Sequence, residues 1–517
     1  MNVADALRRA VDLHAGRVLV VCGDEQRTYA EIGTRTDQLA NALRARGIAP
    51  GDRVATLLVN SIRCVETDFA FAKAGIVRVS INPKLTGREA EYILGDSDAR
   101  VLVYDASFDV MLAELRPRLP KALALVRVGG AEDGAEDYEA MLAAADPAPH
   151  GIAIDPEAIY CLFYTSGTTG RPKGVMLSHR SILHVSWNLL MEIGPLVTGE
   201  KILLMQAMSH GAGFFVLPYV MKGGTAIIMR DFDPAEVVEL ATRHAVEVIK
   251  LVPTMLQRML RLPGIHTVQF PHLRAIVYGA SPMPAEPLRK AIEIFGSRLV
   301  QIYGQSECPV TLTVLPADEH RPDTAHPERL TSAGRPWSNV EIRIADEDGD
   351  DVATGAIGEV VLRGPHLMSG YWKRPEQSAA AVRDGWLRTN DMGRIDAAGM
   401  VYLLGRKDEM IVSGGYNIAP REVEDVLYEN APVVEAAVVG EADDEWGQAV
   451  VAYVVLRDPD APLEPLMAHA RSALGFKRPK RIHVIPDMPK NSAGKIQKRA
   501  LVPTLAVRSL GTVEPAT

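Results

Sequence analysis

Short β-branched segments alternate with segments of helical periodicity over the first three hundred residues, and this alternation constrains the fold more strongly than any other feature. It is typical of parallel strands joined by crossover helices. Residues 28–31 (Thr-Tyr-Ala-Glu) form a capping box that predicts a helix ending near Gly47, and residues 53–59 are strand-like. A second box at residues 86–89 predicts another helix before a strand at 100–104. We therefore expect an α/β fold of layered sheets and helices.

The pattern changes after Ala333, where period-2 segments are separated by Asp-Gly and Gly turns. After Gly405 the pattern predicts a hairpin, a helix, two strands, a helix and a strand, which together make a self-contained α+β unit. The segments that carry these predictions are strands at 340–345 and 358–363, a helix at 420–428, and strands at 433–439 and 449–456. We therefore predict two domains, residues 1–406 and residues 407–517.

The 517-residue chain carries 56 basic and 65 acidic side chains, a formal net charge of −9. A general nucleic-acid-binding protein would usually have a basic excess, so this class is disfavoured. The four cysteines lie far apart with no CxxC pair, which indicates neither a zinc site nor a disulfide framework. No segment approaches about 18 uninterrupted apolar residues, and the first residues lack a basic head followed by an apolar run. We expect a cytoplasmic protein without a membrane span.

A loop rich in glycine and hydroxyl groups is the strongest chemical signal. Residues 164–174 read Tyr-Thr-Ser-Gly-Thr-Thr-Gly-Arg-Pro-Lys-Gly and follow a strand-like segment. Glycines and hydroxyls let the backbone approach phosphate oxygens closely, and Lys173 adds a positive charge. The loop lacks the GK[ST] ending of a Walker motif, and Pro172 interrupts the helix that would follow one. We interpret it as a phosphate-binding loop of another type.

Together with further motifs in the same order, this loop resembles the adenylate-forming superfamily of acyl-CoA synthetases, luciferases and peptide-synthetase adenylation domains. The motifs are at residues 279–281, 303–307, 358–359, 370–372, 385–391, 405–408, 413–415 and 489–495. The resemblance covers nearly the whole chain. Within the superfamily, the chain is most similar to an acyl-CoA synthetase. It implies a large N-terminal domain of mixed sheets with a small barrel-like part, and a small, mobile α+β C-terminal domain.

The resemblance also implies a two-step reaction of ATP, a carboxylic acid and coenzyme A. The carboxylate attacks the α-phosphorus of ATP carried with Mg²⁺, giving an acyl-adenylate and pyrophosphate, and a thiol then displaces AMP. Between the steps the C-terminal domain would rotate about Asp408. Lys495 would stabilise the pentavalent phosphorus, because charge stabilisation is most of phosphoryl-transfer catalysis. Glu307, at the carboxyl end of a strand, would bind Mg²⁺ together with Thr165.

By the same resemblance, Tyr303 would stack on adenine, and Asp391 would accept both ribose hydroxyls with Arg406 as a second contact. The full predicted ATP site consists of Thr165, Ser166, Gly167, Thr168, Thr169, Gly170, Lys173, Gly279, Ala280, Ser281, Tyr303, Gly304, Gln305, Ser306, Asp391 and Arg406. The predicted coenzyme A site consists of Ser413, Gly414, Gly415 and Tyr416.

The acyl pocket is predicted from the segment around His210, which is either a gate beside the substrate carboxylate with a part in catalysis or a core histidine. No acidic residue lies between Lys201 and Val220, so an amino-acid substrate is disfavoured, and the absence of arginine argues more weakly against a dicarboxylate. We expect an apolar monocarboxylic acid. The predicted pocket residues are His210, Gly211, Ala212, Val277, Gly304, Pro309 and Val310.

Three positions depart from the family pattern without removing a catalytic charge: Ser306, Asn390 and Tyr416. Tyr416 leaves the thiol acceptor open between coenzyme A and a carrier-protein phosphopantetheine, and a non-catalytic acyl-adenylate-binding protein is a further alternative. Residues 476–500 contain eight basic residues and one acid, which predicts either a phosphate-attracting surface or an ordinary solvated face. The sequence leaves the oligomeric state open, with a homodimer among the alternatives.

Overall fold

A computed structural model describes residues 1–165, 172–194, 196–321, 327–430, 432–491 and 495–510. The α-helices in these residues are α1 Val3–His14, α2 Tyr29–Ala45, α3 Ile62–Ala74, α4 Gly87–Asp96, α5 Asp109–Leu115, α6 Tyr138–Ala143, α7 His179–Glu192, α8 Val216–Met221, α9 Pro234–Arg243, α10 Pro253–Leu260, α11 Ala285–Phe295, α12 Pro375–Ala381, α13 Pro420–Tyr428 and α14 Glu464–Leu474.

The strands are β1 Val18–Cys22, β2 Glu25–Thr28, β3 Arg53–Leu57, β4 Val77–Ser80, β5 Val101–Asp105, β6 Ala124–Val128, β7 Glu136–Asp137, β8 Ile159–Tyr164, β9 Gly174–Ser178, β10 Lys201–Leu204, β11 Thr225–Ile228, β12 Val248–Leu251, β13 Ala275–Gly279, β14 Leu299–Gln305, β15 Cys308–Leu315, β16 Arg335–Pro336, β17 Glu341–Ala345, β18 Gly358–Arg363, β19 Gly370–Tyr371, β20 Val382–Arg383, β21 Trp386–Ile395, β22 Val401–Arg406, β23 Ile411–Ser413, β24 Tyr416–Ile418, β25 Val433–Asp443, β26 Gly447–Leu456, β27 Arg481–Val484 and β28 Arg508–Leu510.

The two predicted capping boxes do begin helices. Thr28 Oγ1 accepts a hydrogen bond from Glu31 N at 3.2 Å, while Thr28 N donates to a Glu31 carboxylate oxygen at 2.6 Å, so two otherwise unpaired N–H groups at the start of α2 are satisfied. Thr86 and Glu89 make the same exchange at the start of α4. The predicted helices are confirmed, and with them the α/β layering.

Two large, mostly parallel sheets build the N-terminal part of the chain. One has nine strands in the order β16-β15-β14-β13-β12-β10-β11-β1-β2, and the other has eight in the order β19-β9-β8-β4-β3-β5-β6-β7. A continuous core lies between them and includes Phe163 of β8, Leu204 of β10 and Val277 of β13. Strands of this kind are buried on both faces, which is why their sequences are nearly continuous apolar runs.

A five-stranded antiparallel sheet follows, in the order β17-β18-β21-β20 with β22 paired to β21, and forms the barrel-like part. The C-terminal part has a six-stranded sheet, β24-β23-β26-β27-β28 with β25 on β26, and its own core between this sheet and α13 and α14. The boundary at residue 406 stays a prediction and falls between β22 and β23. Within the described residues, no helix is long and apolar enough to cross a bilayer.

Candidate active site

The predicted phosphate-binding loop connects two antiparallel strands. Tyr164 at the end of β8 pairs with Gly174 at the start of β9, and Thr165 N donates to Lys173 O at 3.0 Å. The Lys173 ammonium lies 5.0 Å from the centre of the Tyr371 ring, a favourable cation–π distance. The loop is therefore flanked by the paired ends of β8 and β9, and Lys173 is held against an aromatic face. The predicted residues Ser166, Gly167, Thr168, Thr169 and Gly170 lie outside the described residues.

Asp391 is the centre of a hydrogen-bonded cluster that joins two sheets. Pairing of β21 with β22 places Asp391 opposite Arg406, whose Nε lies 3.0 Å from Asp391 Oδ1. From β14 of the nine-stranded sheet, the Tyr303 hydroxyl and Gln305 Nε2, the latter at 2.6 Å, donate to Asp391 Oδ2. Burial and the Asp391 carboxylate raise the pKa of Tyr303, so this phenol remains a donor at neutral pH. Three residues predicted to bind ATP thus converge on the carboxylate of a fourth, Asp391.

The backbone conformation of Asn390, which precedes Asp391, explains why asparagine is accepted at this departure from the family pattern. Asn390 has φ of 57°, in the left-handed region that favours glycine. Asparagine is among the side chains that tolerate this region best, which accounts for its presence here. Ala280, in the predicted ATP-binding segment after β13, also has a positive φ of 77°. Strained backbone of this kind clusters at binding sites.

Glu307 lies in the turn between β14 and β15, as its predicted position at a strand end requires. Strand β14 continues through Tyr303 to Gln305, so Glu307 follows closely after its end. The Tyr371 hydroxyl donates to Glu307 Oε1 at 2.8 Å, and Tyr371 also carries Lys173 on its ring. Tyr371 therefore links the candidate metal ligand to the phosphate-binding loop. It was absent from the predicted site residues, although the Gly-Tyr-Trp motif at 370–372 signalled it.

Lys495 reaches this cluster from the C-terminal part of the chain. Its backbone is fixed by two hydrogen bonds to Asn491, from Lys495 N to Oδ1 at 2.9 Å and from Asn491 N to Lys495 O at 2.8 Å. The residue is exposed overall, but desolvation of its ammonium and the charge of Arg406 lower its pKa, while Asp391 and Glu307 oppose this effect. The lysine thus shares an electrostatic environment with the Asp391 cluster and with Glu307.

Ion pairs within the C-terminal part of the chain connect Asp408 and α13 to the segment that carries Lys495. Asp408 is exposed in a 3-10 turn after β22 and lies 2.9 Å from the Arg499 guanidinium, while Lys498 pairs with Glu424 at 2.7 Å. Arg421 also donates to Met283 O at 3.3 Å, across to the N-terminal part. The predicted hinge residue is therefore tied to the segment that carries Lys495.

The predicted coenzyme A residues lie elsewhere in this orientation. Gly414 and Gly415 have φ of 58° and 81° and form the two-residue turn between β23 and β24, where both positions require positive φ. Ser413 is buried, whereas Gly414, Gly415 and Tyr416 are exposed. The structure brings Lys495 to the Asp391 cluster and leaves this hairpin turn open to solvent.

An exposed aromatic patch, defined as Tyr416, Trp446 and Phe476, adjoins the hairpin. The Tyr416 and Phe476 rings lie 4.7 Å apart, and the Lys480 ammonium lies 4.4 Å from the Trp446 ring. In the basic segment 476–500 most charges are neutralised, through the pairs Lys477–Glu422, Arg481–Glu441, Lys490–Glu435, Lys498–Glu424 and Arg499–Asp408. Lys480 has no such pair among the described residues.

The predicted acyl-pocket residues also come together. The His210 ring lies 5.2 Å from the Phe163 ring, and burial lowers the pKa of His210 to about 4, so the imidazole is neutral at pH 7. His210 and Thr165 line the same small cavity of about 10 Å³. Ala212 and Val277 are buried in one cluster with Phe163, and Ala212 lies beside Gly211. The imidazole thus stands between the phosphate-binding loop and the apolar wall.

The other wall of this pocket depends on a close backbone approach between β14 and β15. A Cβ at Gly304 would lie 2.4 Å from Val310 N and 2.5 Å from its Cα, so this position requires glycine. Val310 has φ of 52°, which is rare for a β-branched residue, and follows the buried Pro309. Small residues here mark tight packing rather than open space.

Comparison with known proteins places this site in context. A family model described as AMP-binding enzyme matches residues 7–372, and one described as AMP-binding enzyme C-terminal domain matches residues 422–495. A feruloyl-CoA synthase of Amycolatopsis is 37% identical over 91% of this chain and 92% of its own, and a medium/long-chain fatty acid–CoA ligase of Mycobacterium tuberculosis is 33% identical over 95% and 88%. The solved structure of an amide bond synthetase of Marinactinospora thermotolerans is 31% identical, with a TM-score of 0.88 over 96% of this chain and 98% of its own.

Proposed function

The chain belongs to the AMP-binding enzyme family, and we propose that within this family it is an ATP-dependent carboxylic acid–coenzyme A ligase. The electrostatic environment that Lys495 shares with Arg406, Asp391 and Glu307 carries the proposal. This set combines a mobile cation, a ribose acceptor and a metal ligand, the groups needed to activate a carboxylate by adenylation. A non-catalytic adenylate-binding protein has no need of the lysine.

In the first step a substrate carboxylate oxygen attacks the α-phosphorus, and the bond to the bridging oxygen of pyrophosphate breaks. Asp391 accepts the ribose hydroxyls once they replace its present donors, and Tyr303 presents a flat face for adenine. Lys495 neutralises the extra charge on the pentavalent phosphorus. His210, neutral at pH 7, would border the carboxylate without forming an ion pair with it.

Glu307 suits a metal ion that arrives with ATP. Tyr371 occupies one of its carboxylate oxygens and orients the other, and Mg²⁺ commonly takes one or two carboxylates, substrate phosphates and waters. Glu307 would hold the ion, with Thr165 beside the loop, and the ion would supply charge neutralisation at the phosphates.

In the second step a thiol sulfur attacks the acyl carbon and AMP leaves. Rotation about Asp408 would turn the Ser413–Tyr416 hairpin toward the adenylate in place of Lys495. The aromatic patch and Lys480 favour coenzyme A over a carrier protein as the acceptor, because exposed rings can stack on adenine and an unpaired ammonium can meet a phosphate. The acid itself has one reacting carboxylate and a largely apolar body, since the predicted pocket residues Ala212 and Val277 are buried in one apolar cluster and Val310 packs against it.

The experiment is a panel of carboxylic acids assayed for pyrophosphate release and for acyl-CoA by mass spectrometry. We expect acid-dependent pyrophosphate release with ATP and Mg²⁺, and acyl-CoA plus AMP only when coenzyme A is present. Lys490→Ala is a matched control for Lys495→Ala, because Lys490 lies on the same loop but pairs with Glu435 at 2.8 Å. Pyrophosphate release that does not depend on any acid would contradict the proposal.

A further inference from the structure

Lys250 is a buried lysine on β12 of the nine-stranded sheet. It is 2% exposed and lies in register between Leu204 of β10 and Val277 of β13. Its ammonium lies 5.6 Å from the centre of the Phe215 ring. The side chain thus points to the apolar face of the sheet, where the surrounding residues offer no charge.

This ammonium lacks the partners that a buried cation requires. It donates to Leu251 O at 2.9 Å, and no carboxylate among the described residues pairs with it. Lys73, buried to a similar degree, shows the usual arrangement: it lies 2.8 Å from Asp37 and donates to Gly33 O. Burial alone lowers the pKa of Lys250 to about 7. A lysine in a core position, with N–H groups left unpaired, is costly, and a ligand oxygen that accepts a hydrogen bond from it would offset this cost.

The position of Lys250 coincides with the proposed acyl pocket. Val277, its neighbour in register, is one wall of that pocket. Phe215 belongs to the 3-10 turn Gly213–Phe215, which directly follows Ala212. The amine therefore lies on the sheet next to the segment that is predicted to contact the acyl group.

We propose that Lys250 donates a hydrogen bond to an oxygen on the distal part of the acid, so that the preferred substrate carries a hydroxyl, phenolic or carboxylate oxygen beyond its reacting carboxylate. This inference rests on the proposed function and refines it: the pocket is apolar along its walls, with one polar point at Lys250. A site built to hydrogen-bond a substrate oxygen discriminates strongly against the analogue that lacks it, because the buried donor is then left unpaired.

The test uses matched acids that differ only in the distal oxygen: cinnamate with 4-hydroxycinnamate, and octanoate with 8-hydroxyoctanoate and octanedioate. kcat/KM for pyrophosphate release is measured for wild type and for Lys250→Met, which keeps the volume and removes the donor. We expect wild type to prefer an oxygen-bearing acid at least tenfold in one series. In Lys250→Met we expect this preference to fall at least tenfold while activity on the plain acid is kept or raised. Comparison of 8-hydroxyoctanoate with octanedioate shows whether the distal oxygen is a hydroxyl or a carboxylate oxygen.

The control is Lys201→Met, since Lys201 begins β10 and donates to His244 O away from the pocket, and it should leave the preference unchanged. A wild type with no preference in either series would overturn the proposal, as would a Lys250→Met variant in which all acids lose activity equally. If wild type releases no pyrophosphate with any acid, the proposed function fails separately. In that case calorimetry measures the binding of the same acids to wild type and to Lys250→Met. Equal affinities of the two proteins would refute the proposed role of Lys250.

Discussion

Replacing Lys250 with methionine should stabilise the folded protein, because the native state holds this amine in an environment that disfavours its charge. Burial lowers its pKa from 10.5 to about 7. A pKa difference of one between the folded and unfolded states corresponds to about 1.4 kcal/mol, so the native lysine costs up to about 5 kcal/mol at pH 7 relative to an unperturbed one. The groups that face it, from Leu204, Val277 and Phe215, are all apolar and add no compensating charge.

The pH dependence follows from the lowered pKa of Lys250 in the folded state. Above about pH 10.5 the amine is neutral in both states and costs nothing. As the pH falls toward 7, the unfolded chain takes up a proton that the folded chain does not, so the stability of wild type falls relative to Lys250→Met. Below about pH 7 both states are protonated and the deficit is constant. At pH 9 the deficit should be about 2 kcal/mol.

The assay is the thermal midpoint of wild type and Lys250→Met between pH 6 and pH 10. With an unfolding entropy of about 2 cal/mol/K per residue over roughly 400 residues, the gain is at most about 6 °C at pH 7 and about 2 °C at pH 9. Lys73→Met is the control and should lower the midpoint, because it leaves Asp37 buried without its partner. A Lys250→Met variant that melts lower than wild type at every pH would refute the reasoning.

Three further substitutions test the site. Tyr371→Phe removes the hydrogen bond that orients Glu307; we expect about a tenfold lower kcat for adenylation with a raised Mg²⁺ requirement, and an unchanged Mg²⁺ titration would count against this link. Arg499→Gln breaks an exposed ion pair with Asp408 that is worth at most about 1 kcal/mol. Adenylation should therefore slow no more than about fivefold, and thioester formation should not slow. Stopped-flow measurement of both half-reactions checks this. Trp446→Ala should raise KM for coenzyme A about tenfold without affecting pyrophosphate release, and an unchanged KM would exclude the aromatic patch as its binding surface.

The sequence predicted helices and strands well where interactions between neighbouring residues determine the conformation. The capping boxes at Thr28 and Thr86 began helices as expected, and the predicted strand 358–363 and helix 420–428 match β18 and α13 to the residue. Period and capping chemistry suffice at these places because neighbouring residues decide the conformation. The predicted strand at 53–59 ends at Leu57 instead, because Asn60 bonds across to Gln206 O and Met229 O and the chain leaves the sheet.

Long-range contacts were beyond such signals. Nothing local to Tyr371 indicates that its hydroxyl meets Glu307 and its ring meets Lys173, since the three residues lie on separate segments of the chain. The sequence analysis did not identify Lys250 as a site residue, because it is a single polar residue within an apolar run. Only the register of β12 shows which residues are its neighbours. Motif resemblance identified the ATP-site residues, and the structure adds the hydrogen bonds that orient them.

The delivery of the Lys495 ammonium to the α-phosphate is the central claim, and separate measurement of the two half-reactions of Lys495→Ala tests it most directly. Acyl-adenylate formation should fall by a factor of about 10²–10³, while conversion of supplied acyl-adenylate and coenzyme A to acyl-CoA should stay within a few-fold of wild type. Undiminished adenylation by Lys495→Ala, or an equal loss of both half-reactions, would contradict the account.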